Sequence, residues 1–178
     1  DENETWEDNP VSGSVAGNDS DAEPGVLTYA VINGPESGEL LFLNDGSYTY
    51  TPEPDFTGYL FIDYEVCDAQ GLCAQSLLMI SVMLVNDAPV AEDDEYTTQE
   101  DVPVSGTVAS NDYDVDEDDA LTYSIVSGPS SGTFVLNPNG TFSFTPALDA
   151  NGVFTLTYMV TAIEMATATA VLTIAVTG

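Results

Sequence analysis

Thr98-Gln99-Glu100-Asp101-Val102-Pro103-Val104-Ser105-Gly106-Thr107-Val108 decides how the chain is built, because an earlier stretch nearly repeats it. Thr5-Trp6-Glu7-Asp8-Asn9-Pro10-Val11-Ser12-Gly13-Ser14-Val15 stands 93 residues upstream. Outward from this pair the correspondence continues at an offset of 94, with Leu27-Thr28-Tyr29 and Leu121-Thr122-Tyr123, then Gly34-Pro35 and Gly128-Pro129. Asn44-Asp45-Gly46 matches Pro138-Asn139-Gly140, and Thr51-Pro52 matches Thr145-Pro146. Gly, Pro and apolar positions staying in register over such a length mark two copies of one unit. The expected domains are 1–85 and 86–178.

Each copy reads as all-β. Leu60, Ile62, Tyr64 and Val66 alternate with other side chains in the first copy, as Phe154, Leu156, Tyr158 and Val160 do in the second. A period of two places each set on one face of a strand. Leu172, Ile174 and Val176 form a third such run, and Asp-Gly and Asn-Gly pairs separate the runs as hairpin turns do. The second copy shows strands near 96–98, 103–108, 121–126, 132–136, 141–145, 153–161 and 166–176. Seven short strands in a unit of this size predict a β-sandwich, two in tandem. Tyr64-Glu65-Val66 and Tyr158-Met159-Val160 are similar to the tyrosine that precedes the penultimate core strand of Ig-like folds, and fit a plain core aromatic equally well.

The composition excludes whole classes of function. The 178 residues include 31 acids and no Lys, Arg or His. Phosphate has no cationic partner here, which excludes nucleic-acid binding. There is no imidazole for proton relay or zinc. No pair of acids is marked out as a glycosidase pair would be, and no nucleophile motif appears, so the chain is not expected to be an enzyme. The apolar content of 43% supports an ordinary core, so the charge does not signal disorder. No apolar run of about 18 residues occurs, so membrane insertion is not expected. Cys67 and Cys73 would face each other across a hairpin, and a disulfide there implies an oxidising compartment.

Carboxylates without protein cations call for solvent cations, and Ca²⁺ prefers oxygen ligands. Thirteen of the 31 acids lie between Asp87 and Asp119. Asp112, Asp114, Asp116 and Asp118 alternate, so in an extended loop they share a side. The segment is not an EF-hand: counted from Asp112, Glu117 stands where Gly is needed and Tyr123 where Glu is needed. It reads as half of a junction site, completed by Glu100 and Asp101 or by the linker acids. Asn18, Asp19, Asp21 and Glu23 form a thinner version in the first copy. The candidate metal ligands are Glu7, Asp8, Asp19, Asp21, Asn86, Asp87, Asp93, Asp94, Glu100, Asp101, Asp112, Asp114 and Asp116.

Together these motifs resemble the cadherin-like and Ig-like tandem repeats of very large bacterial surface proteins and adhesins, a group that includes the VCBS repeats. The carriers are Asp93-Asp94-Glu95-Tyr96-Thr97-Thr98-Gln99-Glu100-Asp101, Ser105-Gly106-Thr107-Val108, Asn111-Asp112-Tyr113-Asp114, Leu121-Thr122-Tyr123, Gly140-Thr141-Phe142, Thr145-Pro146 and, in the first copy, Tyr64-Glu65-Val66-Cys67-Asp68-Ala69-Gln70-Gly71. Val85-Asn86-Asp87-Ala88-Pro89 is similar to the acidic Asn-Asp junction of cadherins. The resemblance implies an Ig-like or cadherin-like form for the two β-sandwiches, extracellular or cell-surface stalks, adhesion through neighbouring repeats or other copies, and Ca²⁺ at repeat junctions. The second copy departs from it where Thr161-Ala162-Ile163-Glu164-Met165 replaces Cys67-Asp68-Ala69-Gln70-Gly71, losing the acid and the turn glycine.

Two other functions compete. The first copy has no counterpart of Val85–Asp93 and is expected to lack its linker and a short first strand. Such an open edge arises in a piece of a longer array, or in a filament subunit joined head to tail by strand addition. A carbohydrate-binding module, with surface glycans as partners, would need an exposed aromatic platform, for which Trp6 is the lone tryptophan.

Overall fold

The runs in which apolar side chains alternate with period two form strands. The computed structural model describes residues 1–116 and 120–178. Asp118, the last of the alternating acids, lies outside the described residues. The chain forms two units, Asp1–Val85 and Asn86–Gly178. In the first unit the strands are β1 (Glu2–Trp6), β2 (Val11–Ser14), β3 (Thr28–Asn33), β4 (Glu39–Phe42), β5 (Ser47–Thr51), β6 (Gly58–Cys67) and β7 (Cys73–Met83). In the second they are β8 (Asp94–Gln99), β9 (Val104–Thr107), β10 (Thr122–Ser127), β11 (Thr133–Leu136), β12 (Thr141–Thr145), β13 (Gly152–Thr161) and β14 (Thr167–Thr177). Every strand expected in the second copy is present.

Each unit pairs a four-stranded sheet with a three-stranded one. The orders are β1-β7-β6-β3 with β2-β5-β4, and β8-β14-β13-β10 with β9-β12-β11. The inward side chains interdigitate as in other sandwiches. Tyr50, Ile62, Tyr64, Leu78 and Ile80 close the first core, and Phe144, Leu156, Tyr158, Leu172 and Ile174 the second. Burying each such side chain stabilises the fold by about 1.5–3 kcal/mol relative to exposure.

The first and last strands of each unit run parallel. β1 pairs with β7 and β8 with β14, bringing Glu2 opposite Met79 and Asp94 opposite Leu172. β1 is the counterpart of β8, so among the described residues both units hold the same seven strands, and the stretch without a counterpart in the first copy holds no strand of its own. What the second unit adds ahead of β8 is a single bridge, Val90 to Tyr113. Antiparallel hairpins form the rest. Cys67 faces Cys73 across the β6–β7 turn, and the two are bonded as a disulfide. In that turn Gly71 takes a φ of 83°, whereas the matching Met165 takes 69° with a side chain attached.

Candidate functional site

In each unit a buried tyrosine of the longest hairpin meets carboxylates. Tyr158 on β13 is fully buried, and its hydroxyl lies 2.9 Å from Asp94 Oδ2 and 2.9 Å from the Glu92 carbonyl. Asp112 brings two further oxygens to 3.5 and 3.3 Å. One phenol carries one proton, so it cannot donate to all of these acceptors. Tyr64 repeats the contact in the first unit, donating to Asp1 Oδ2 at 2.6 Å. A second tyrosine attends each cluster: Tyr29 lies beside Asp19, and Tyr123 beside Asp112. The Tyr29–Tyr64 and Tyr123–Tyr158 rings sit 6.4 and 6.2 Å apart, each tilted by 43°. These tyrosines thus serve both as core aromatics and as hydroxyl donors to carboxylates.

Crowded acceptors disfavour ionised carboxyls and phenolates. Burial pushes the Asp94 carboxyl up to about 6; the Tyr158 hydrogen bond opposes the rise, while the Asp112 and Asp93 charges add to it. Burial also raises Asp112, against hydrogen bonds from the Glu92 N–H, Tyr158 and Tyr123. Tyr123 is pushed up to about 12 by burial and the Asp112 charge, and Tyr158 rises by burial and its bond to Asp94.

Next to this cluster the second unit folds its leading segment onto the acidic loop. The Asp87 N–H donates to Asp116 Oδ2 at 2.8 Å, and the Asp116 N–H donates to Asp114 Oδ1 at 3.1 Å. Asn86 Nδ2 donates to the Asp87 carbonyl, and the Glu92 N–H donates to Asp112 Oδ1. Asp93 Oδ1 accepts the Val171 N–H, tying this segment to β14. Two oxygens here, Asn111 Oδ1 and Asp114 Oδ2, are buried without a hydrogen-bond partner among the described residues. Asp19 Oδ2 is the matching orphan in the first unit. Asp21, by contrast, accepts the Glu23 N–H on an exposed loop.

The remaining candidate ligands, Glu7, Asp8, Glu100 and Asp101, lie at the other end of their sandwiches. Glu7 is 2% exposed and accepts the Val85 N–H, while its own N–H donates to Met83 O. Asp8 and Asp55 take φ of 58° each, and Asp8 Oδ1 accepts the Asp55 N–H at 3.3 Å. Asp101 and Asp149 repeat this at 59° and 56° with a 3.0 Å bond, and the Glu100 N–H donates to Thr177 O. Ala170, opposite Tyr158, and Thr177 are seven residues apart on β14, about 23 Å. Glu100 and Asp101 therefore do not join Asp112. Within the second unit, Asp112 instead meets Asp94 through Tyr158 and accepts the Glu92 N–H, and Asp116 accepts the Asp87 N–H.

A family model described as "bacterial cadherin-like domain" matches residues 86–178. The chain belongs to this family. A second model, "bacterial Ig domain", matches residues 1–81 of the cadherin-like chain. Both are adhesion-type families of extracellular repeats. Human Protocadherin Fat 4 is 32% identical over 148 residues, covering 78% of the chain and 3% of that protein. The chain thus spans only a small fraction of that relative. Human mucin-like protocadherin EC1-2 shares its fold at a TM-score of 0.62 and 22% identity, covering 99% of this chain and 95% of the other. Drosophila N-cadherin EC1-4 gives 0.60 at 14% identity, with 99% and 48% coverage. Among the described residues no helix is long and apolar enough to cross a membrane.

Proposed function

We propose that the chain is a Ca²⁺-stiffened adhesion module of an extracellular bacterial surface protein, working beside further repeats or copies of itself. The observation that carries this reading is the pair of orphaned buried oxygens, Asn111 Oδ1 and Asp114 Oδ2, in a chain with no Lys, Arg or His to partner them. Carboxylate and amide oxygens are a donor set for a hard cation. Asn111, Asp114 and Asp116, with Asn86 and Asp87 of the linker, would hold Ca²⁺ in the second unit. Because Asp116 already grips the Asp87 N–H, an ion at these oxygens would fix the linker to that unit. The linker's Pro89 is buried and has its φ restricted by its ring, so little freedom is left there to lose.

The test is calorimetric melting of chelator-treated protein. An ion bound only by the folded state stabilises it by about 2.7 kcal/mol at a hundredfold excess over Kd. That raises the second unit's Tm by roughly 10 °C or more. Asp114→Asn combined with Asp116→Asn should abolish the rise. A rise matched by NaCl at equal ionic strength would show general screening and remove the specific site.

A further inference from the structure

The outward face of the β1-β7-β6-β3 sheet differs from its counterpart in the second unit. Its cross-strand rows are Trp6–Met83, Glu4–Ser81–Tyr59 and Glu2–Met79–Phe61. The same rows in the second unit read Gln99–Thr177, Thr97–Ala175–Val153 and Glu95–Thr173–Thr155. One backbone therefore tolerates polar and small side chains here, and the fold does not require aromatic ones. Trp6, Tyr59 and Phe61 nevertheless stand 51, 66 and 55% exposed. Clustered exposed aromatics mark an interaction surface more often than isolated ones do. Beside them lies a shallow pocket of about 280 Å³, lined by Glu2, Asn3, Glu4, Met79 and Ser81.

We infer that this face docks a basic, Arg- or Lys-bearing segment of a partner protein. A guanidinium or ammonium binds over an aromatic ring through the ring's negative face. Its aliphatic stem packs on an apolar floor while the charged head stays at the polar rim, which Met79 and the Glu2 and Glu4 carboxylates provide. Charge selects the occupant. With 31 acids and no basic side chain, the chain concentrates cations at its surface, which favours a basic occupant of this face over a second, equally acidic copy. A neutral glycan gains nothing from that field. This inference is independent of the Ca²⁺ reading and is tested with Ca²⁺ held saturating.

Trp6 is the chain's single tryptophan, so its emission reports on this face alone. The probe is a short peptide of alternating Arg and Leu, added at physiological ionic strength to limit nonspecific attraction. A saturable change in Trp6 emission is expected, and Phe61→Thr or Tyr59→Val, which install the second unit's residues, should weaken it about tenfold. Glu2→Gln with Glu4→Gln should also weaken it, and carries the test if either aromatic variant fails to fold. Thr155→Ser on the other unit should change nothing. Four results would overturn the inference: an unaltered Trp6 signal, equal affinity in the variants, a response to a neutral oligosaccharide in place of the peptide, or self-association abolished by Phe61→Thr.

Discussion

Gly106→Ala isolates one contact that the sandwich cannot give up. Gly106 lies on β9 opposite Phe142, and a Cβ there would sit 2.4 Å from Tyr96 Cε1 and 2.5 Å from Cζ. Ordinary carbon contacts need about 3.5 Å or more, so the ring would have to retreat by about 1 Å. It has little room to do so. Tyr96 donates to Thr107 O at 2.9 Å and accepts the Thr107 N–H at 3.2 Å, while its ring stands edge-on to Phe142 at 4.9 Å. Overpacking costs about 1–3 kcal/mol and each lost hydrogen bond about 1 kcal/mol. Replacing glycine returns about 0.5–1 kcal/mol of unfolded-state entropy. The net expectation is a loss of about 2 kcal/mol. Differential scanning calorimetry should show the second unit's transition falling by roughly 8–16 °C. In a Tyr96→Val background the ring is gone, and the same substitution should cost far less. An unchanged or raised Tm for Gly106→Ala, or an equal cost in both backgrounds, would refute the steric argument.

Asp94 sets a pH dependence in chelator. Its folded carboxyl sits at about 6 against an ordinary 3.8, so its contribution is fully present below about pH 4 and is lost as pH rises through 6. Melting profiles of the wild type and Asp94→Asn should differ in slope across that window, and parallel profiles would count against the assignment. Met165→Gly relieves a side chain held at a φ of 69° and 78% exposed, and should raise stability by about 0.5–1 kcal/mol in urea unfolding. Cys67→Ser should lower stability by about 2 kcal/mol, and alkylation of the native protein without reductant should add no mass.

The strands were legible because each inward run of the long hairpins is unbroken, as in Leu60, Ile62, Tyr64 and Val66. Strand neighbours were not: β1 against β7 joins residues more than seventy positions apart, and no local pattern records that parallel pairing. The acidic stretches were visible by composition, but their grouping depends on the sheet. Asp112 meets Asp94 through Tyr158, while Glu100 lies at the far end, although all belong to one dense acidic region of sequence. The tyrosine hydroxyls went unassigned because their carboxylate partners come from distant parts of the chain, Asp94 from β8 and Asp1 and Asp112 from outside the strands. A signal was present in the repeat itself, where Tyr29 and Tyr64 with Asp1 and Asp19 return as Tyr123 and Tyr158 with Asp94 and Asp112. Tyr59 and Phe61 were masked for a similar reason. They flank Leu60 and Ile62 in a nearly continuous apolar run, and only the position of the second sheet decides which half faces water.

The parallel pairing of first and last strands has a mechanical consequence. In each unit the chain enters along β1 or β8 and leaves along β7 or β14, running in the same direction on both. Tension applied along the chain therefore pulls these neighbours past each other lengthwise. The ladder from Asp94–Leu172 to Gln99–Thr177 is loaded in shear, so its hydrogen bonds share the force and must yield together. An antiparallel hairpin pulled at its open end would instead unzip, its bonds breaking in succession. A tether made of such units resists extension through its weakest-looking element, the short strand at the sheet's edge.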